Sequence, residues 1–200
     1  MKLYYAPQAC SLAPHIVLRE LDLPFELIRV DNRSKTTAHG ADFLVINPKG
    51  YVAALQLDNA QVLTEGPAIL QYLADLRPDA NLAPVLGTFE RVRLQEWLNF
   101  VSTEIHGGLG WLFNEQFAQE VKAQIQEKLF KRFAVLCQTL ERQDFLLPSG
   151  FSVADAYLFT VLRWAPGFAI DLDRWPALAK FQARVGQRPS VSAALAAELA

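Results

Sequence analysis

The chain has 200 residues, 52% of them apolar and including 13 Phe and 4 Trp, which places it in the globular class with enough material for a sizeable core. A formal net charge of −2, with no basic patch standing out, argues against nucleic acid as the main partner. The two cysteines, Cys10 and Cys137, make no disulfide framework, and no run approaches the ~18 apolar residues of a membrane span, so a protein of a reducing compartment without a membrane partner is expected.

Residues 3–5 begin a short apolar strand that breaks at Ala6-Pro7-Gln8, and the chain turns into a helix just after Cys10. Pro7, Gln8 and Pro14 interrupt this stretch before a signal-peptide core can form, so a cytoplasmic location is expected. Leu12, Ile16, Val17 and Leu21 recur at helical period. Ser11 or Cys10 itself is placed to cap the helix, and Pro14 is tolerated in its first turn. Cys10 is thus expected where a strand ends and a helix begins. Unpaired N–H groups and the helix dipole there lower a thiol's pKa and favour its reactive thiolate. A free cysteine is also a common small hydrophobe of cores, so placement alone does not make Cys10 a nucleophile.

Residues 25–30 alternate like a strand, completing a βαβ unit with parallel strands and a right-handed crossover. Residues 31–40 are polar, carry Arg33 and Lys35, and read as an exposed loop. A short helix is expected over 41–46, stopped by Asn47-Pro48 and Lys49-Gly50. Residues 52–57 and 61–63 form a hairpin around Asp58-Asn59, and Gly66-Pro67 opens a helix reaching Leu76. The resulting order is βαβαββα, a three-layer α/β unit over 1–77.

Residues 78–87 contain Pro78 and Pro84 without periodicity and read as a linker; 88–200 read as helical throughout. A helix over 91–106 carries Leu94, Trp97, Leu98, Val101 and Ile105 at helical spacing, and Gly107-Gly108 should end or bend it. A longer amphipathic helix over 117–140 places Val121, Ile125, Leu129, Phe133, Leu136 and Leu140 on one stripe, with Cys137 beside it as core packing. Ser152-Val-Ala-Asp155 is a capping box with Asp in place of Glu, with Phe151 before it as a hydrophobic staple. Further helices are expected over 176–185 and 190–199.

Three features near the ends of elements carry chemistry: the Cys10 junction, the turn entering a strand at 49–55, and Thr64-Glu65-Gly66-Pro67 at a helix start. A helix N-terminus accepts an anion, Glu65 beside it accepts an ammonium, and Lys35 neutralises a further carboxylate. A glutathione-like peptide, with a thiol, an α-amino group and two carboxylates, matches this inventory. Each signal is weak singly, since Glu at a helix start is usually dipole compensation.

The sequences KLYYAPQACSLAPHIVLRE at 2–20, INPKG at 46–50, LTEGPAILQYLAD at 63–75 and FSVADAYLFTVLRWA at 151–165 carry a resemblance. Over essentially its whole length the chain resembles cytosolic glutathione transferases, and specifically the bacterial beta class. The resemblance implies an α/β plus all-α fold, a thioredoxin-like glutathione-binding domain (1–77) joined to an all-helical domain (88–200). It implies a homodimer whose active sites lie at the domain interface and are completed by the neighbouring subunit. It implies that Cys10 contacts the glutathione sulfur, that Lys35 meets the glycine carboxylate and that the Val52 backbone pairs with the cysteinyl backbone. Glu65 and the N–H of Gly66 would hold the γ-glutamyl group, Asn99 would reach across the dimer, and Thr103, Glu104, Ile105 and His106 would line the site. Asn99, Thr103 and His106 fall at i, i+4 and i+7 and so share a helix face. Ser11 and His106 are expected to assist catalysis, and Trp111, Leu112 and Phe113 to receive an apolar cosubstrate; no metal is implied.

Two positions depart from the family pattern. Ala53 stands where the family has a cis-proline, which leaves the Val52–Ala53 isomer open, and Tyr51 replaces a smaller polar residue. Both lead to an expectation of weaker glutathione binding. The activity implied is conjugation of the glutathione thiolate to a small hydrophobic electrophile, as in detoxification. The alternatives are a thiol–disulfide reductase working through a Cys10 mixed disulfide, and a non-catalytic binding or regulatory protein.

Overall fold

A computed structural model describes residues 1–199 of the chain. Strand β1 (Lys2–Tyr5) lies in the middle of a five-stranded sheet. It pairs in parallel with β2 (Glu26–Asp31), Leu3 opposite Leu27, after the chain has crossed through helix α1 (Leu12–Glu20). Strand β3 (Thr36–Thr37) adds antiparallel to β2 at one edge. Helix α2 (Phe43–Ile46) follows, and strands β4 (Ala54–Gln56) and β5 (Val62–Thr64) form the antiparallel hairpin at the other edge, giving the order β3-β2-β1-β4-β5. The expected order βαβαββα thus gains β3, inside the segment read as a loop. Two residues are too few to show a strand period.

Leu3, Tyr4 and Tyr5 are all buried because both sheet faces are covered. On one face Tyr4, Ile28 and Val30 pack with Phe43 of α2, the Tyr4 and Phe43 rings 5.7 Å apart. Helix α1 packs against α3 (Gly66–Leu76) and against the last helix, α9 (Pro189–Leu199). His15 of α1 is fully buried; Arg19 Nε donates to its Nε2 at 2.9 Å, which leaves the Nδ1 proton facing Glu198 Oε1 at 2.9 Å. At the other end of α9, Arg188 and the Ser190 hydroxyl both bond the Glu20 carboxylate.

The chain accordingly forms two compact units, Met1–Asn81 with the segment from Arg188 onward, and Leu82–Gln187. The division at 82 falls inside the segment read as a linker. The helical reading of 88–200 did not anticipate that α9 groups with the sheet, because polar pairs such as His15–Glu198 leave no trace in hydrophobic period.

In the second unit α4 (Phe89–Phe100) starts at Thr88, whose hydroxyl accepts from Arg91 N at 3.2 Å. It passes straight into a π-helical turn, Val101–His106, and then α5 (Gly107–Leu112). Gly107 does not end the helix. Gly108 instead permits close packing: a Cβ there would meet Leu129 Cδ2 at 2.7 Å. Helix α6 (Gln119–Leu140) buries Leu129, Phe133, Leu136, Cys137 and Leu140, whereas Val121 on the expected stripe is exposed. Helix α7 (Val153–Leu162) is buried along its whole length and begins with the expected capping box of Ser152 and Asp155. Phe151 packs edge-on against Phe145 at 5.8 Å. Helix α8 (Pro176–Gly186) completes the unit.

Candidate active site

Between β1 and α1 the chain closes short turns, with Leu12 N donating to Ala9 O and Ala13 N to Cys10 O, each at 3.2 Å. Ser11 stands at the helix start, but its side chain does not cap the helix. Its buried hydroxyl accepts from Ala6 N at 3.2 Å and donates to Ala6 O at 3.3 Å, tying the end of β1 to the start of α1.

Cys10 keeps partial exposure as a residue, while its thiol donates to Val52 O at 3.2 Å. Burial pushes the thiol from its ordinary 9.0 up to about 11. The amides of Cys10, Ala53 and Ser11 favour the thiolate and oppose this shift, while the Glu65 charge adds to it. The pKa lowering expected from a helix N-terminus is therefore corrected: desolvation wins, and Cys10 is a protonated donor at neutral pH.

The segment after α2 is shaped by Asn47, which is buried. Its Nδ2 donates to Tyr51 O at 2.8 Å, its Oδ1 accepts from Lys49 N at 3.2 Å, and its carbonyl accepts from Gly50 N at 2.9 Å. Gly50 has φ +71°, and a Cβ there would also press on Leu44 Cδ2 at 3.1 Å, so glycine suits the turn doubly. Lys35 Nζ donates to Gly50 O at 2.8 Å and lies 5.7 Å from the centre of the Tyr51 ring, which is 73% exposed. The Val52–Ala53 peptide is cis.

Glu65 precedes the first turn of α3, with Gly66 and Pro67 next. Its carbonyl accepts from Ala68 N and Ile69 N at 3.0 Å each. Its exposed carboxylate accepts from Lys49 Nζ at 2.7 Å, and the same ammonium donates to Thr64 Oγ1 at 3.0 Å. The sheet unit therefore gathers Cys10, Lys35, Val52 and Glu65 around residues 49–53.

The other expected residues lie on α4, the π turn and α5. Asn99 and Thr103 are exposed, and Thr103 Oγ1 donates to Asn99 O at 3.0 Å. A π turn rotates less per residue than an α turn, so His106 is offset from the face predicted by i, i+4, i+7 spacing. Its Nδ1 lies 2.5 Å from Tyr157 OH, and its ring meets Trp164 edge-on at 5.0 Å. Glu104 is held by Arg132 Nε at 2.5 Å and by Lys128 Nζ at 3.7 Å, and the Arg132 bond lowers its carboxyl pKa. Ile105 is fully buried and Leu112 is 2% exposed, so both side chains are core rather than lining. Trp111 and Phe113 are exposed; Trp111 stacks on Phe117 at 5.9 Å, and Phe113 meets Phe168 at 4.7 Å. Tyr157, Trp164, Phe168 and Lys49 were not singled out as site residues. Their only signals were an aromatic-rich run at 157–168 and a lysine beside a turn. Among the described residues no cluster of His, Cys, Asp and Glu is placed to hold a metal.

Residues 9–76 match the family description "Glutathione S-transferase, N-terminal domain", and residues 95–189 match "Glutathione S-transferase, C-terminal domain". The chain is 43% identical over 198 residues to glutathione S-transferase GstA of Escherichia coli O157:H7, covering 99% of this chain and 98% of that one. The structure of the ternary complex of BphK, a bacterial GST, is similar with a TM-score of 0.98 and 52% identity, covering 100% of both chains. A bacterial beta class glutathione S-transferase of Sphingomonas chungbukensis is similar with a TM-score of 0.95 and 44% identity, covering 99% and 98%.

Proposed function

Because the chain belongs to the glutathione S-transferase family, with beta-class structures among its neighbours, we propose that it transfers the glutathione thiolate to a small apolar electrophile. The observation that carries this reading is the convergence of Cys10, Val52, Lys35 and Glu65 on one short segment of the sheet unit. Lys35 suits the glycine carboxylate, Glu65 the α-ammonium, the Gly66 N–H the γ-glutamyl carboxylate, and the Val52 backbone the cysteinyl backbone. Cys10, protonated at neutral pH, donates to the glutathione sulfur and favours its thiolate. That thiolate forms the S–C bond as the leaving group departs with its electron pair. Ser11 is engaged with Ala6 and acts as a positioning residue; His106, oriented by Tyr157, is left as the assisting group. Trp111 and Phe113 supply the apolar, aromatic surface for the electrophile.

Calorimetric titration with glutathione should show saturable binding at millimolar concentration or below, and an activated aryl halide should be conjugated. A folded protein that binds no glutathione would overturn this reading in favour of a binding or regulatory role.

A homodimer is part of the proposal. Val85, Leu86, Phe89 and Val92 are 74%, 65%, 65% and 53% exposed, an apolar patch around the start of α4. Phe89, Val92, Glu96 and Asn99 recur at three- and four-residue spacing, so Asn99 shares the side of α4 that carries the patch. Phe89→Asp should shift the protein to monomer in sedimentation at micromolar concentration. An unchanged sedimentation coefficient would move the interface elsewhere. No helix among the described residues is long and apolar enough to cross a membrane; a cytoplasmic location is part of the proposal.

A further inference from the structure

Residues 49–52 already meet three of the groups that a glutathione-like ligand would meet, Glu65, Lys35 and the Cys10 thiol. Lys49 covers Glu65, the Gly50 carbonyl and the Tyr51 ring cover Lys35, and the Val52 carbonyl covers the Cys10 thiol. Of these contacts, the one at Glu65 reproduces the ligand's own chemistry, an ammonium on a carboxylate at 2.7 Å. The backbone of this turn is pinned by Asn47 and by the positive φ of Gly50, so it has little freedom to withdraw. The Lys49 side chain differs: it is 55% exposed, its stem is flexible, and water can take back its charge.

Resting on the glutathione reading above, we propose that Lys49 is a resident competitor whose ammonium occupies Glu65 in the free protein and yields to the α-ammonium of the γ-glutamyl group. The exchange replaces one ammonium by another on the same carboxylate. Lys49 therefore lowers affinity for ligands that carry the α-amino group and leaves ligands without it unaffected. This makes Lys49 a specificity-determining residue of the site, one that weakens binding of the ligand the site is built for. Both partners of the pair are more than half exposed, which limits the effect to a factor of about two to five.

The test compares the full-length protein with Lys49→Met, which keeps the stem and removes the charge. Each is titrated calorimetrically with glutathione and with its deaminated analogue, in which the α-amino group is replaced by hydrogen. Lys49→Met should bind glutathione about two to five times more tightly, with no change for the analogue, and the gain should shrink in 0.5 M salt, where the Debye length falls to a few ångströms. Equal or weaker glutathione binding by Lys49→Met, while the parent binds normally, overturns the proposal and makes Lys49 a neutral or helping contact. A parent protein that binds no glutathione overturns the functional reading, and the proposal with it. Lys49→Gln, polar and uncharged, serves as the second variant should the apolar one fold poorly.

Discussion

Asp155→Ala is expected to lower the unfolding free energy by about 3–5 kcal/mol, because it strips the partners from several buried donors at once. The carboxylate is fully buried. Its Oδ1 accepts from Leu146 N at 2.8 Å, and its Oδ2 from Ser152 N at 2.9 Å and the Ser152 hydroxyl at 2.7 Å. Two of these donors are main-chain amides that cannot turn to water without opening the start of α7. A fall in Tm of about 10 °C or more should follow, and Asp155→Asn, which keeps one acceptor, should lie between. Burial raises this carboxyl from its ordinary 3.8 to about 6, against the lowering effect of its hydrogen bonds. The folded protein thus holds this proton more tightly than the unfolded chain. The resulting contribution is fully present below about pH 3.8 and is lost as pH rises through about 6, so mild acidification does not loosen the box through Asp155. Unchanged urea and thermal midpoints in Asp155→Ala would remove the box as the anchor of α7.

Cys10→Ala should slow conjugation about tenfold at pH 6.5 and shift the acid limb of the pH–rate profile up by about one unit. The reasoning turns on Cys10 being a thiol rather than a thiolate, since burial holds its proton up to about pH 11. A protonated sulfur can donate to the glutathione sulfur and stabilise its negative charge; alanine cannot. Cys10→Ser keeps a donor and should retain a substantial part of the rate. In the same vein, alkylation of Cys10 by iodoacetamide in the ligand-free protein should be slow at pH 7 and accelerate up to about pH 11. A pH–rate profile that does not move in Cys10→Ala would end the donor role.

Much of the fold was legible because its elements have period and punctuation. Pro7 and Pro14 bracket the junction at Cys10, Gly66-Pro67 starts α3, and the Ser152–Asp155 spacing marks the box that the structure shows. The π turn was not legible, since Leu94, Leu98, Val101, Ile105 and Leu109 are all buried and their spacing suits an α helix equally well. Nor was the state of Cys10. Local helix geometry favours a thiolate, but burial outweighs it, and burial depends on tertiary packing that the local sequence does not show. The Ser11 hydroxyl shows the same limit at shorter range, choosing Ala6 behind it over the helix ahead. Lys49 carried no signal because a lysine beside a turn is ordinary; only its distance to Glu65 gives it meaning.

The packing of α9 on α1 has a consequence for how the protein is made. His15 and Glu20 find their partners Glu198, Arg188 and Ser190 only beyond the whole helical unit in chain order. At typical translation rates the ribosome needs roughly 5–20 s to pass from Asn81 to Arg188. Throughout that interval His15 and Glu20 of α1 lack these partners. The sheet unit, begun first, is therefore completed only after the last residue of the helical unit has been made.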